Sequence, residues 1–198
     1  MTLIVNTGSI TTSNMNKIAT IQATDKKVFS AQDLAVLWGY SEENKLFELI
    51  KYYVKTKQIF ALTRGLYSKN RYTEQDLRNE IDLQYEIANK LVPNSYVSLW
   101  TVLKNEGVVF QYYGEIYSVA ARSVTRTVLG VKFVYKQVKE SVLLNDLGIL
   151  KVGRSRVATV ERALGDMTYL FPNIKIDQTG KINKELLADV GKIYVKSR

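Results

Sequence analysis

Gly39 separates two stretches of helical apolar spacing, and two short β-prone runs follow. This succession constrains the fold more than any other feature of the chain. In VFSAQDLAVLWGYSEENKLFELIKYYVKTKQIFALTRGLYSKN, Ser30 followed by Asp33 predicts a capping box. Ala31, Leu34, Ala35 and Leu37 then supply one apolar face. Glycine tolerates a positive φ because it lacks Cβ, so the helix is expected to stop at Gly39. Ser41 is expected to cap a second helix, with Glu42 and Glu43 in its first turn, where the helix dipole favours anions. Along that helix Leu46, Leu49, Ile50 and Tyr53 recur at i, i+3, i+4 and i+7 and face a core. At about 100° per residue, Asn44, Glu48, Lys51 and Lys55 project from the other side. IFAL and LYS, separated by Thr63, Arg64 and Gly65, predict a hairpin. Helix, glycine turn, helix and basic-tipped hairpin together predict a winged helix-turn-helix. We place it at residues 15–72, opening with a short helix over 15–23 and preceded by a loose Thr-, Ser-, Asn- and Gly-containing tail over 1–14.

Composition narrows what such a fold can do. The 198 residues include no Cys and no His. That excludes disulfides, thiolate zinc sites, cysteine nucleophiles and any Ser–His–Asp triad, and removes the commonest general base. Neither an enzyme activity nor a cofactor or metal is expected. Hydrophobic residues at 46% and charged residues at 24% are the balance of a globular protein. No apolar run is long enough to span a membrane, and the opening MTLIVNTGSI lacks the basic segment of a secretory signal, so a cytoplasmic protein is expected.

Lys and Arg number 28 against 19 acids, a net charge of +9. Such an excess favours anionic partners, nucleic acid first and an acidic protein or membrane surface second. The excess is uneven: residues 1–72 carry +5, residues 73–110 carry −3 and residues 111–198 carry +7. Two basic lobes flank an acidic connector.

In the first lobe the expected DNA-contacting residues are Asn44, Lys45, Lys51, Lys55, Arg64, Lys69 and Arg71. A helix presenting Asn44, Lys51 and Lys55 outward suits a major groove, where Asn pairs with adenine and Lys with guanine or phosphate. Arg64 at the hairpin tip, with Lys69 and Arg71 beside it, suits the backbone or a minor groove. Glu42, Glu43 and Glu48 oppose a generic phosphate grip. Winged helices also serve as protein–protein modules, and exposed lysines also occur as plain solvated surface.

Residues 73–92 read as one connector helix, a spacer between the lobes. Thr73 and Asp76 form a capping signal, Leu77, Ile81, Tyr85, Ala88 and Leu91 form the stripe, and Pro93 ends the run. Residues 93–198 are expected to form an α+β domain. SYVSLWTVLKNEGVV reads as a helix ended at Gly107, and EIYSVAARS and VKFVYKQVK as two strands. GILKVGRSRVATVERALGDMTYLF reads as a strand and a helix capped by Thr159, with Val160, Ala163, Leu164 and Met167 buried. Arg162 and Asp166, four apart, are expected to pair on its surface for a few tenths of a kcal/mol. Arg122, Arg126, Lys132, Lys136, Arg154 and Arg156 are the expected partner- or nucleic-acid-binding residues of this lobe, with a solvated sheet face as the equal alternative.

Several of these segments also carry a resemblance. FSAQDLAVLWGY, the helix after it and the RGLYSK hairpin resemble the N-terminal winged helix of AbiEi-type antitoxins, members of type IV toxin–antitoxin and phage-defence loci. YVSLW at 96–100, SVAARS at 118–123 and RVATVERALGDM at 156–167 follow in the family's order, so the resemblance covers roughly residues 28–171. Val160 stands where the family often has Pro, and many members continue with further helices beyond the equivalent of Tyr194. The resemblance implies an antitoxin that binds repeats in its operon's promoter through the winged helix and represses that operon. It implies that the second domain opposes a nucleotidyltransferase-like toxin, directly or functionally. The alternative is a stand-alone transcriptional regulator whose second domain binds a ligand or another partner.

Overall fold

The computed structural model describes residues 17–110, 114–173 and 182–195. The expected tail over 1–14 and the first two residues of the expected opening helix lie outside them. The chain is a mixed α+β protein that divides into two compact units, Met1–Tyr72 and Thr73–Arg198.

In the first unit, residues 17–23 form helix α1. Strand β1 (Val28–Ser30), helices α2 (Ala31–Trp38) and α3 (Glu43–Lys55), and strands β2 (Phe60–Thr63) and β3 (Leu66–Ser68) follow. The capping box of α2 is present: Ser30 Oγ accepts from the Asp33 amide, and Asp33 accepts from the Ser30 amide at 2.8 Å. Gly39 ends the helix at φ 69°, a left-handed conformation that would strain a side-chain-bearing residue. β3 lies between β1 and β2, antiparallel to both.

Ile21, Phe29, Leu34, Trp38, Leu46, Ile50, Tyr53 and Ile59 make the core of this unit. Two expectations change here. Ser41 does not cap α3; Glu42 occupies that position without a side-chain cap, and its carboxylate accepts instead from Lys45 Nζ at 2.9 Å. The buried face of α2 is Leu34 and Trp38, with Ala31, Ala35 and Leu37 only partly covered. Trp38 enters the core because its indole N–H finds the Lys17 carbonyl at 3.0 Å, which satisfies the polar end of a large apolar side chain.

The second unit holds α4 (Glu74–Asn79), α5 (Ile81–Leu91), β4 (Tyr96–Val97), α6 (Trp100–Asn105), β5 (Ile116–Ala120), β6 (Val124–Val128) and β7 (Val131–Gln137). It continues with α7 (Glu140–Leu143), β8 (Ile149–Val152), β9 (Ser155–Ala158), α8 (Val160–Leu170) and α9 (Lys184–Val195). Six strands make one mixed sheet in the order β6-β7-β5-β4-β9-β8. β5–β7 and β4–β9 are parallel, and the other pairs are antiparallel. Tyr135 and its register neighbours face α5, where the Tyr135 hydroxyl donates to the Ala88 carbonyl at 2.7 Å. Tyr96, Tyr117 and Lys136 face the other way, toward α6 and α8.

The single connector helix expected over 73–92 is therefore two helices, and it is part of the second unit's core. The Thr73–Asp76 capping box is present, but Glu80 is extended (φ −97°, ψ 97°) and breaks the run. The break turns α5 so that Leu83, Tyr85, Ile87 and Ala88 are buried while Ile81 is 46% exposed. The helix expected from Ser95 begins only at Trp100, because Tyr96 and Val97 pair with β5. Leu99, buried at φ 60°, makes the sharp exit from the sheet, a strained position for a branched residue. Beyond the expected strands, VTRTV forms β6, and the single strand expected before α8 is the β8–β9 hairpin.

Thr159 caps α8 by accepting from the Arg162 amide. Arg162 and Asp166, expected on the surface, are both wholly buried. Arg162 donates to the carbonyls of Val142, Asn145 and Leu147 and to the Tyr96 hydroxyl, at 2.6–2.9 Å. Asp166 accepts from the hydroxyls of Tyr96, Ser98 and Tyr194, at 2.6–2.9 Å. Arg162 Nε lies 3.5 Å from Asp166 Oδ1. α9 completes this cluster through Tyr194 and packs directly on Gly165. A Cβ at Gly165 would lie 2.6 Å from Val190 Cγ1 and 2.7 Å from Tyr194 Cε2. Gly165→Ala is therefore expected to cost about 1–3 kcal/mol by overpacking. Urea unfolding of the variant checks this, and an unchanged midpoint would show that α9 does not sit this close.

Candidate nucleic-acid interface

Helix α3 sorts its residues by angle. Relative to Asn44, Lys51 and Lys55 lie within about 20° and Glu48 within about 40°, so the four form one stripe. All four are exposed. Leu46, Ile50 and Tyr53 are buried on the far side, with Leu49 partly covered. From Asn44 to Lys55 the stripe runs about 16 Å at the helical rise, comparable to the width of a major groove plus its flanking phosphates. Burial of the apolar face is what fixes the polar face outward, so one property produces both the core and the candidate interface.

The hairpin supplies the second element. Arg64 is exposed at the β2–β3 turn, next to Gly65. The Gly65 carbonyl accepts from the Ala31 amide at 3.3 Å, which pins the turn to the first residue of α2. Strands of four and three residues make this a short hairpin with limited reach.

The expected site residues separate into those available to a ligand and those already engaged. Among the described residues, the side chains of Lys51, Lys55, Arg64 and Arg71 make no ion pair or hydrogen bond, and all four residues are exposed. Lys57 belongs with them; sequence reasoning passed over it because it lies beyond the periodic stretch, at φ 58° just after α3. Lys45 is exposed but paired with Glu42, and it points about 100° away from the stripe. Lys69 donates to the Thr24 carbonyl at 2.6 Å, fastening the end of β3 to the segment after α1. Its hydrogen-bonding capacity is partly spent inside the unit.

In the second unit the six expected cations do not form one patch. Arg126 shares its face with Phe133, toward α5, whereas Lys132 and Lys136 lie on the opposite face. Lys136 Nζ stands 5.7 Å from the centre of the Phe171 ring. Arg122 follows β5 and precedes the edge strand β6, while Arg154 is in the turn of the β8–β9 hairpin at the other edge. With strands about 4.8 Å apart, the two edges are separated by about 24 Å. Arg156 pairs with Asp146 at 2.6 Å, and its guanidinium lies 5.9 Å from the centre of the Tyr96 ring. The arrangement holds no concerted anion site, because strand alternation and sheet order scatter what sequence proximity had grouped.

No group of three or more carboxylates among the described residues is arranged to hold a metal ion. No described helix is long and apolar enough to cross a membrane. The chain matches no family model and no curated protein.

Proposed function

We propose that the first unit is a winged helix-turn-helix that binds double-stranded DNA, and that the chain is a DNA-binding antitoxin repressing its own operon. The observation that carries the DNA reading is the exposed stripe Asn44, Glu48, Lys51 and Lys55, basic at its C-terminal end and set opposite the buried Leu46, Ile50 and Tyr53 on one helix. The succession of α1, β1, α2, α3, β2 and β3, with β3 central in the sheet, supports the fold name. α3 enters the major groove, Asn44 reads a base edge, and Lys51, Lys55, Lys57 and Arg71 neutralise phosphates. Arg64 contacts the flanking backbone from the short hairpin.

The antitoxin part rests on the resemblance of residues 28–171 to AbiEi-type proteins. On this reading the second unit opposes a nucleotidyltransferase-like toxin in the cytoplasm. On this reading the chain performs no catalytic step of its own; it has neither His, the commonest general base, nor Cys.

The division of labour is testable at the boundary between Tyr72 and Thr73. A chain truncated after Tyr72 is expected to retain binding to the DNA upstream of its gene and to lose rescue of cells expressing the adjacent reading frame. Rescue by the truncated chain would remove the assigned role of the second unit. One observation favours the regulator reading instead: a cavity of about 330 Å³ in the second unit, lined by Arg78, Gln84, Trp100, Lys104, Asn105 and Glu115. An adjacent gene with no toxic product would favour that reading.

A further inference from the structure

The two edges of the six-stranded sheet differ in chemistry. β6 presents Thr125, Arg126 and Thr127, a solvated edge. β8 presents Leu150 and Val152, 53% and 40% exposed, and Leu147 just before the strand is 39% exposed. Lys151 is the only charge within β8.

The register shows which backbone groups of β8 remain unused. The Thr159 amide donates to the Gly148 carbonyl at 2.8 Å, so hydrogen-bonded pairs in this hairpin recur at Leu150–Val157 and Val152–Ser155. The amide and carbonyl of Lys151 therefore point away from β9. Across the hairpin, Arg156 has the complementary phase, and its amide and carbonyl are both met by the side-chain amide of Asn89. The inner edge of the hairpin is capped; the outer edge has no such cap among the described residues.

We propose that β8 takes an extended segment of a partner protein as an added strand, with an acidic residue opposite Lys151 and apolar residues beside Leu150 and Val152. Main-chain bonds to Lys151 supply affinity, and the flanking side chains supply selectivity. A second copy of this chain is a poor occupant. Antiparallel pairing centred on Lys151 sets two ammonium groups directly opposite each other. Pairing centred on Leu150 requires the Ile149 amide, which already donates to the Asp146 carbonyl at 2.9 Å. Lys151 thus guards against self-pairing while selecting an acidic strand. The inference concerns the second unit alone and does not depend on DNA binding or on the identity of a toxin.

The probe is an acetylated, amidated peptide of sequence Ser-Thr-Val-Glu-Val-Thr-Ser, titrated into the full chain and followed by amide resonances. Shifts are expected to centre on β8, and a peptide with Lys in place of Glu is expected to bind about three- to tenfold more weakly, an exposed opposite-charge pair being replaced by a like-charge one. Lys151→Pro removes an outward N–H that the hairpin does not use, together with the ammonium, so it should leave the circular dichroism unchanged and abolish the shifts of both peptides. Lys151→Glu should invert the preference between the two peptides. The proposal is overturned if the shifts centre elsewhere, if neither peptide binds at millimolar concentration, or if Lys151→Pro binds as the parent does. It is overturned equally if the Lys151 amide is already protected from exchange in the chain alone, or if Lys151→Pro converts a dimer into a monomer.

Discussion

Replacing Arg162 with Met is expected to destabilise the second unit by about 3–5 kcal/mol, the usual consequence of removing one partner from a buried ion pair. The guanidinium satisfies three main-chain carbonyls and the Tyr96 hydroxyl in a site with no exposed surface. Without it those acceptors are orphaned, and Asp166 remains as an uncompensated buried carboxylate. Burial pushes the Asp166 carboxyl above its usual range, against the opposing influence of Arg162 and the hydroxyls of Tyr194, Ser98 and Tyr96. A carboxyl whose folded pKa is raised contributes stability that is complete below its unfolded value and is lost as pH rises through the folded value. Removing Arg162 raises that folded value further, so the variant's penalty should be largest near neutral pH and shrink as the solution is acidified. Urea unfolding at pH 7 and pH 5 measures it. A penalty below about 1 kcal/mol, or one independent of pH, would show that the pair does not act as described. Adding Asp166→Leu to Arg162→Met should restore part of the loss, since no charge is then left buried alone.

Binding to duplex DNA is expected to fall at least about tenfold when Lys51, Lys55 and Arg64 are all changed to Ala, at about 150 mM salt. These residues lie on the surface and touch no other described side chain through a polar contact, so the fold should be unaffected. Asn44→Ala is expected to act differently. On the proposed reading it removes a base contact rather than a phosphate contact, so it should cost about 1–3 kcal/mol on the preferred sequence and little on random DNA. Lys45→Ala is the internal control. Its ammonium is held by Glu42 away from the stripe, and affinity should change little. A competition binding assay with the preferred and a scrambled duplex separates the three outcomes. A loss for Lys45→Ala of about one third that of the triple variant on a logarithmic scale, in proportion to the charges removed, would mean that general charge, and not the α3 stripe, drives binding.

Local signals were readable in the sequence wherever the physics is local. Ser30 with Asp33, Thr73 with Asp76, and Thr159 cap helices because each bond spans three residues. The stripe of α3 was readable because one face of that helix is covered and the other is not. The same reasoning failed for α8, which is covered on several sides. Periodicity assumes a wet face, so Arg162 and Asp166 were placed on it. What buries them is the arrival of α9 and the sheet from distant parts of the chain. Short strands were the other loss. β4 pairs through two residues, and nothing in Tyr96 and Val97 distinguishes that from a helix start. β6 had a usable signal: VTRTV is rich in β-branched residues, and Leu129 and Gly130 both take positive φ in the two-residue turn to β7. Gly153, at positive φ in the two-residue turn between β8 and β9, carried a related signal. The grouping of Arg122, Arg126, Lys132, Lys136, Arg154 and Arg156 depended on a strand order that no local pattern encodes.

The salt dependence of DNA binding tests the central claim most directly. Each phosphate contact releases condensed counterions and steepens the log–log plot of affinity against salt by about 0.9. Measured on the DNA upstream of the gene, the parent chain should show a steep negative slope. The variant lacking Lys51, Lys55 and Arg64 side chains should be shallower by about 3. Identical slopes for the two proteins would contradict the account, because α3 and its hairpin would then not lie against the duplex.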